Sequence, residues 1–209
     1  MPATTRSKLL IFSLAMLGLV AGATAWRIYE TRISPVPEAL IVLPEPRVIA
    51  DFTLTDQSGE PFSLDDFRGH WSLLFFGFTS CPDVCPNTLY QLTQAKTLMQ
   101  KQANSGQVPR IYLVSVDPER DTPDKLAEYL HYFDPTITGL TGPDEQIKAL
   151  AVQLGIAYFI EPHDDGNLQY NVDHSASLLL LDPAGQLFGV LPAPHEANRI
   201  ANDVLTAIR

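Results

Sequence analysis

Two nearly continuous apolar runs, WSLLFFGF at 71–78 and IYLVSV at 111–116, flank a segment whose apolar side chains recur at helical spacing. Runs of that length read as strands buried on both faces. Between them Leu89, Leu92, Ala95 and Met99 predict a helix over 85–102. A strand–helix–strand unit with two buried strands requires a parallel pair covered on both sides, so the chain belongs to the α/β class. The flanks extend the pattern. Residues 52–54 and 61–63, joined by Gln57-Ser58-Gly59, predict a small hairpin. Thr122 as N-cap with Pro123 behind it opens a helix to about 132. Ile147, Leu150, Ala151 and Leu154 share one face of a helix over 143–154. A hairpin over 177–181 and 186–191, turning at Asp182-Pro183-Ala184-Gly185, precedes a last helix over 196–208.

The first fifty residues have a different character. Arg6 and Lys8 end a short tail, 1–8, and an uncharged apolar run of 18 residues follows at 9–26. As a helix it would extend about 27 Å, against about 30 Å for a hydrocarbon core. The run exceeds the core of an ordinary signal peptide, which predicts a single transmembrane anchor. Ala23-Thr24-Ala25 offers the competing reading, a cleaved signal. Trp26 and Tyr29 suit a membrane interface. Either reading sends the folded body outside the cytoplasm, to the periplasmic face of a bacterial inner membrane or the equivalent intermembrane space. Pro35, Pro37, Pro44 and Pro46 predict a proline-rich tether over 27–48, with the domain occupying 49–209. Residues 51–209 carry nine Lys/Arg against 21 Asp/Glu, a net −12. A body so acidic, with no basic stripe, repels phosphate backbones and excludes nucleic acid as a partner.

The chemistry concentrates at two positions. Cys81 and Cys85, the two cysteines of the chain, lie in FTSCPDVCPN immediately after a buried strand and at the start of a helix. Unpaired amides and the dipole at a helix N-terminus favour thiolate, the form that attacks disulfides and binds metals. Residues four apart share one helical face, so both sulfurs can converge on one ion. As a disulfide staple the pair would close too short a loop to stabilise much. This cysteine placement, with the element order above, selects a thioredoxin-like fold with an N-terminal hairpin and insertions. Soft sulfur ligands suit Cu(I), zinc or iron–sulfur clusters. Zinc structural sites and clusters generally need four Cys or His ligands, whereas Cu(I) accepts two sulfurs and a nitrogen. Of the five histidines, His174 stands out because it sits in NVDHS just before the strand at 177–181. That loop faces the cysteine-bearing helix end in a thioredoxin-like fold. His70, His131, His163 and His195 read as ordinary surface or core histidines.

Three strings together carry a family resemblance: FTSCPDVCP at 78–86, SVDPERDT at 115–122 and VDHS at 172–175. In this order and at these separations they resemble the SCO/SenC proteins, copper-handling assembly factors of cytochrome c oxidase, over roughly 50–208. The resemblance implies that Cys81, Cys85 and His174 are copper ligands, that Cu(I) and also Cu(II) bind there, and that the cysteines can cycle through a disulfide. It implies a metallochaperone, with oxidase subunit II or another copper-receiving protein as partner. Asp117 falls at the end of a strand, where α/β proteins place their sites; it reads first as turn chemistry and second as a support or docking group. Asp173 neighbours His174 and points to the opposite face of an extended chain. The competing function is a membrane-anchored thiol-disulfide oxidoreductase, since thiolates at a helix mouth exchange disulfides as readily as they bind metal. His174 separates the two, because disulfide exchange has no need of an imidazole. A peroxidase would want a dedicated pocket for a sulfenate, and nothing in the sequence suggests one.

Overall fold

The computed structural model describes residues 5–32, 36–103, 105–164 and 166–208, with the side chains of 5–11, 28–32 and 105 outside the description. The chain divides into two compact units, Met1–Val36 and Pro37–Arg209. The first contains one helix, α1 (Thr5–Arg32). Its described side chains, 12–27, are all exposed, Phe12, Leu14, Leu17 and Leu19 among them. Thr24 returns its hydroxyl to the carbonyls of Val20 and Ala21, both at 2.9 Å, so the helix carries no unpaired hydroxyl there. Among the described residues no helix is long and apolar enough to cross a membrane. The expected anchor at 9–26 begins on residues 9–11, whose side chains lie outside the description.

The second unit is built on an eight-stranded mixed sheet whose strands lie in the order 41–47, 187–191, 178–181, 72–77, 110–115, 138–141, 53–56 and 61–63. Its centre is the predicted parallel pair, β4 (Ser72–Gly77) and β5 (Arg110–Ser115), in register from Ser72↔Arg110 to Gly77↔Ser115. Every residue of β4 is buried, as its apolar run requires. β6 (Thr138–Thr141) runs parallel to β5. On the other side β9 (Leu178–Leu181), four buried leucines, is antiparallel to β4, and β10 (Leu187–Leu191) is antiparallel to β9. The hairpin of β2 (Thr53–Asp56) and β3 (Pro61–Ser63) closes the far edge against β6. α2 (Val84–Gln102) connects β4 to β5 and packs on the C-terminal α5 (Ala197–Ala207). α3 (Pro123–His131) packs on β6 and α4 (Asp144–Leu154) on β2. A second, two-stranded antiparallel sheet pairs β7 (Tyr158–Ile160) with β8 (Val172–His174). The architecture is the expected thioredoxin-like α/β fold.

One stretch differs from its sequence reading. Residues 41–47, expected within the tether, form β1 (Ile41–Arg47) and pair antiparallel with β10. Pro44 and Pro46 are tolerated because β1 is an edge strand with a register irregularity between Val42 and Arg47. The segment ahead of β1 is also held. The carboxylate of Asp203 on α5, 3 % exposed, accepts the backbone N–H groups of Glu38, Ala39 and Leu40 at 2.8, 2.7 and 2.9 Å.

Candidate metal centre

Cys81 lies in the turn after β4, where its amide donates to the Phe78 carbonyl at 3.3 Å. Cys85 lies in the first turn of α2. β4 delivers this turn close to the helix because it ends in glycine: a Cβ on Gly77 would sit 2.8 Å from Phe75 Cε1 and 3.0 Å from Cys85 Sγ. Asp121, fully buried, fixes the turn from the side of β5. It accepts Thr79 N at 2.9 Å, Thr79 Oγ1 at 2.5 Å and Ser115 Oγ at 2.7 Å, with Lys125 Nζ at 3.7 Å. His174 arrives from the second sheet as the last residue of β8. This is a strand end rather than the expected loop, and its partner across the ladder is Tyr158.

The three side chains converge. Cys81 Sγ, Cys85 Sγ and one His174 ring nitrogen lie within 4.8 Å of one another. Cys85 Sγ is 3.3 Å from His174 Nε2, and the Cys85 amide points at Cys81 Sγ, also at 3.3 Å. Ligand atoms that share one ion at about 2.0–2.3 Å sit about 3.3–4 Å apart, so the separations suit a single ion. His174 Nδ1 is 3.1 Å from the Ser175 carbonyl, which can only accept. Nδ1 therefore carries the proton and Nε2 presents its lone pair to the sulfurs, the tautomer a metal ligand needs. Burial holds the imidazole below its ordinary pKa, against a backbone hydrogen bond and Asp173, which raise it, so the ring is neutral at pH 7. Phe75 and Phe78 meet it edge-on, with ring centroids 5.9 and 5.8 Å away.

Cys85 departs from the sequence expectation of a thiolate. Burial pushes its thiol far above the ordinary range, and neighbouring Cys81 and Asp121 add to the shift. Without metal the group is a neutral thiol at pH 7. Cys81 is more accessible than Cys85. Two sulfurs and one imidazole nitrogen, one sulfur desolvated, form a soft donor set of the kind that favours Cu(I). Among the described residues this group contains no fourth ligand such as a zinc structural site takes.

The remaining residues singled out in the sequence divide. Asp117 does supply turn chemistry, its carbonyl accepting from Arg120 N at 3.2 Å and Asp121 N at 2.9 Å. Its buried carboxylate does more: it pairs with Arg120 and accepts Tyr170 Oη at 2.6 Å. Asp173 is exposed, as the alternation of an extended strand predicts. His70 bonds Tyr112 Oη at 3.0 Å, and His195 Nε2 donates to the Ala176 carbonyl at 2.6 Å. Arg120, Asp121 and Tyr170 escaped notice as site-building residues. Arg120 and Asp121 stand inside SVDPERDT, so the motif pointed to them; Tyr170 had no signal beyond its nearness to His174.

Comparison with known proteins agrees with the geometry. The SCO1/SenC family model matches residues 43–209. An SCO2-like protein of Rickettsia felis is 39% identical over 140 residues, 67% of each chain. The crystal structure of Arabidopsis thaliana ScoI with copper bound superposes with a TM-score of 0.70 at 33% identity, covering 78% of this chain and 98% of that one. BsSco, described as a member of the Sco family of cytochrome c oxidase assembly proteins with a disulfide switch, superposes with a TM-score of 0.59 at 26% identity, covering 80% and 97%. With the family model spanning nearly all of the second unit, the chain belongs to the SCO1/SenC family.

Proposed function

We propose that this protein is a copper carrier that binds the ion through Cys81, Cys85 and His174 and hands it to the dinuclear copper centre of cytochrome c oxidase subunit II. The observation that carries the reading is the convergence, within 4.8 Å, of two thiols and an imidazole delivered by different elements of the fold. Disulfide chemistry alone leaves His174 without a task, yet its tautomer and its 3.3 Å approach to Cys85 are those of a ligand. Copper-bound relatives and a relative described as an oxidase assembly protein support the same reading. The exposed apolar side chains described in α1, Phe12, Leu14, Leu17 and Leu19 among them, support a membrane anchor over 9–26; the domain is then read as lying outside the cytoplasm. The test mixes the Cu-loaded full chain with apo subunit II and follows the absorption of the dinuclear centre. Formation of the centre by wild type, and its failure with His174→Ala, is expected; no formation by wild type would refute a carrier role, and equal formation with both proteins would remove His174 from the site.

A second reading rests on the cysteine pair itself. Cys81 is the more accessible sulfur and receives the Cys85 N–H at 3.3 Å. As thiolate it would attack a target disulfide and form a mixed disulfide, releasing one target thiolate. Cys85, losing its proton, would then attack Cys81 Sγ and release the second target thiolate, leaving Cys81–Cys85 oxidised and the target reduced by two electrons. Reduction of the oxidised subunit II cysteines at equal rates by wild type and His174→Ala would mark this as a separable activity.

A further inference from the structure

Between β7 and β8 the chain makes an excursion, described at 161–164 and 166–171, before returning as the strand that ends in His174. Its base is closed by Glu161 N donating to the Asn171 carbonyl at 2.9 Å and by Asn171 Nδ2 donating to Glu161 Oε2 at 2.9 Å. What ties the excursion to the rest of the domain is a stack built on Tyr170. The Arg120 guanidinium lies 3.8 Å from the Tyr170 ring centroid, and the His163 ring lies parallel to it at 3.7 Å and 11°. Two groups so close to one centroid occupy opposite faces, so Tyr170 is clasped between Arg120 and His163. Its hydroxyl donates to Asp117, and Arg120 Nη1 donates to the carbonyls of Leu168 and Tyr170 at 3.3 and 3.0 Å.

The ring nitrogens of His163 identify the charge state in which this stack closes. Nδ1 is 2.8 Å from the Glu161 carbonyl and Nε2 is 2.8 Å from Glu119 Oε2. A carbonyl and a carboxylate both accept, and only the doubly protonated ring satisfies both. A cation over the Tyr170 face is also favoured electrostatically. Glu119 belongs to the turn after β5, the same turn that carries Asp117, Arg120 and Asp121. His163 is thus the one ring of the stack whose charge can change near neutral pH.

We propose that His163, as an imidazolium, latches the 161–171 segment onto Glu119 and so sets how firmly His174 is held against Cys85. His163 is then a positioning residue for the metal centre: it touches neither sulfur nor His174, and acts through Tyr170 and the strand that follows. The charged and titratable groups around it are Glu161 through its carbonyl, Glu119, Tyr170 and Arg120; the hydrogen bond to the Glu161 carbonyl and then that to Glu119 raise its pKa, desolvation and Arg120 oppose them, and it is left above the ordinary value of 6.5. The latch is therefore fully closed below pH 6.5 and opens as pH rises through the elevated value. The consequence for copper rests on the carrier reading, but the latch itself can be tested without metal.

Hydrogen exchange of residues 161–174 in the apo full chain, corrected for intrinsic rates, separates the possibilities. Wild type is expected to lose protection, on the order of threefold, as pH passes from 6 to 9. His163→Gln should be low and flat across that range. His163→Arg, whose charge does not titrate, should be flat and at least as protected as wild type at high pH. A wild-type profile without pH dependence, or identical profiles for all three proteins, would overturn the latch. Cu(I) competition then reads the effect on the site: the wild-type to His163→Gln affinity ratio should exceed one at pH 6 and approach one at pH 9. A constant ratio would remove the link to His174 while leaving copper binding intact. Failure of wild type to bind Cu(I) would count against the carrier reading and leave the exchange result to stand alone.

Discussion

Cys85 sits where a helix mouth favours a thiolate, yet its thiol is held neutral because it is buried beside Cys81 and Asp121. Desolvation outweighs the helix terminus here, and the two effects make opposite predictions. Since the metal ligand is the thiolate, loading Cu(I) at pH 7.5 must expel the Cys85 proton. Calorimetry in buffers of different ionisation enthalpy should show release of at least one proton per ion, and a heat independent of buffer would contradict it. The linkage also has a sign. An acid whose pKa rises on folding stabilises the fold below its ordinary value of about 9 and loses that contribution as pH climbs above it. The apo protein should therefore unfold at lower urea above pH 9, and Cys85→Ser should blunt the dependence. Gly77 belongs to the same scale. In Gly77→Ala the added methyl meets Phe75 at 2.8 Å and Cys85 Sγ at 3.0 Å. Overpacking of that kind costs about 1–3 kcal/mol, readable as a lower denaturation midpoint.

At the scale of elements, what was legible were long periodic runs and short strands with a turn signal beside them, such as β2 and β3 around Gln57-Ser58-Gly59 and β9 before Asp182-Pro183-Ala184-Gly185. The apolar runs of β4 and β5, the spacing within α2 and α4, and the Thr122–Pro123 start of α3 each named their element. Thr122 accepts Lys125 N as an N-cap should. β6, β7 and β8 have only three or four residues each, too few for a period to declare itself, and no turn signal was identified to mark them. β1 was hidden by its prolines, which argue against a central strand but not an edge. The three side chains that converge, Cys81, Cys85 and His174, were legible because motif strings marked them. Its framework was not, since Asp121 and Tyr170 act through contacts 42 and 53 residues away in sequence. Asp203 is of the same kind, joining α5 to residues 38–40. Asp203→Ala strands three backbone donors and should cost about 2–3 kcal/mol in urea unfolding. Copper affinity should be unchanged, because the partners of the Asp203 carboxylate are the backbone N–H groups of Glu38, Ala39 and Leu40 and none of these is Cys81, Cys85 or His174.

For the whole molecule, an exposed apolar helix precedes an acidic domain in which two thiols and an imidazole converge. The proposed topology makes a direct prediction: the full chain should sediment with membranes and resist carbonate extraction, and a chain lacking residues 1–36 should not. A membrane-impermeant thiol reagent added from outside the cytoplasmic membrane should label Cys81, and labelling that requires cell lysis would contradict the topology. The net charge of −12 over 51–209 also bears on transfer. Copper hand-off to a basic receiving surface should slow as salt is raised, and to an acidic one should quicken. The central claim, however, is that one imidazole turns a pair of thiols into a metal site. It is tested most directly by titrating Cu(I) against a competing chelator with the reduced full chain and its His174→Ala variant. Loss of an outer-shell partner alone costs about 10–100-fold in metal affinity. The account predicts tight 1:1 binding by wild type and a loss of about 100-fold or more in the variant. Equal affinity for the two proteins would mean that Cys81 and Cys85 act without His174, and the copper-carrier account would fail.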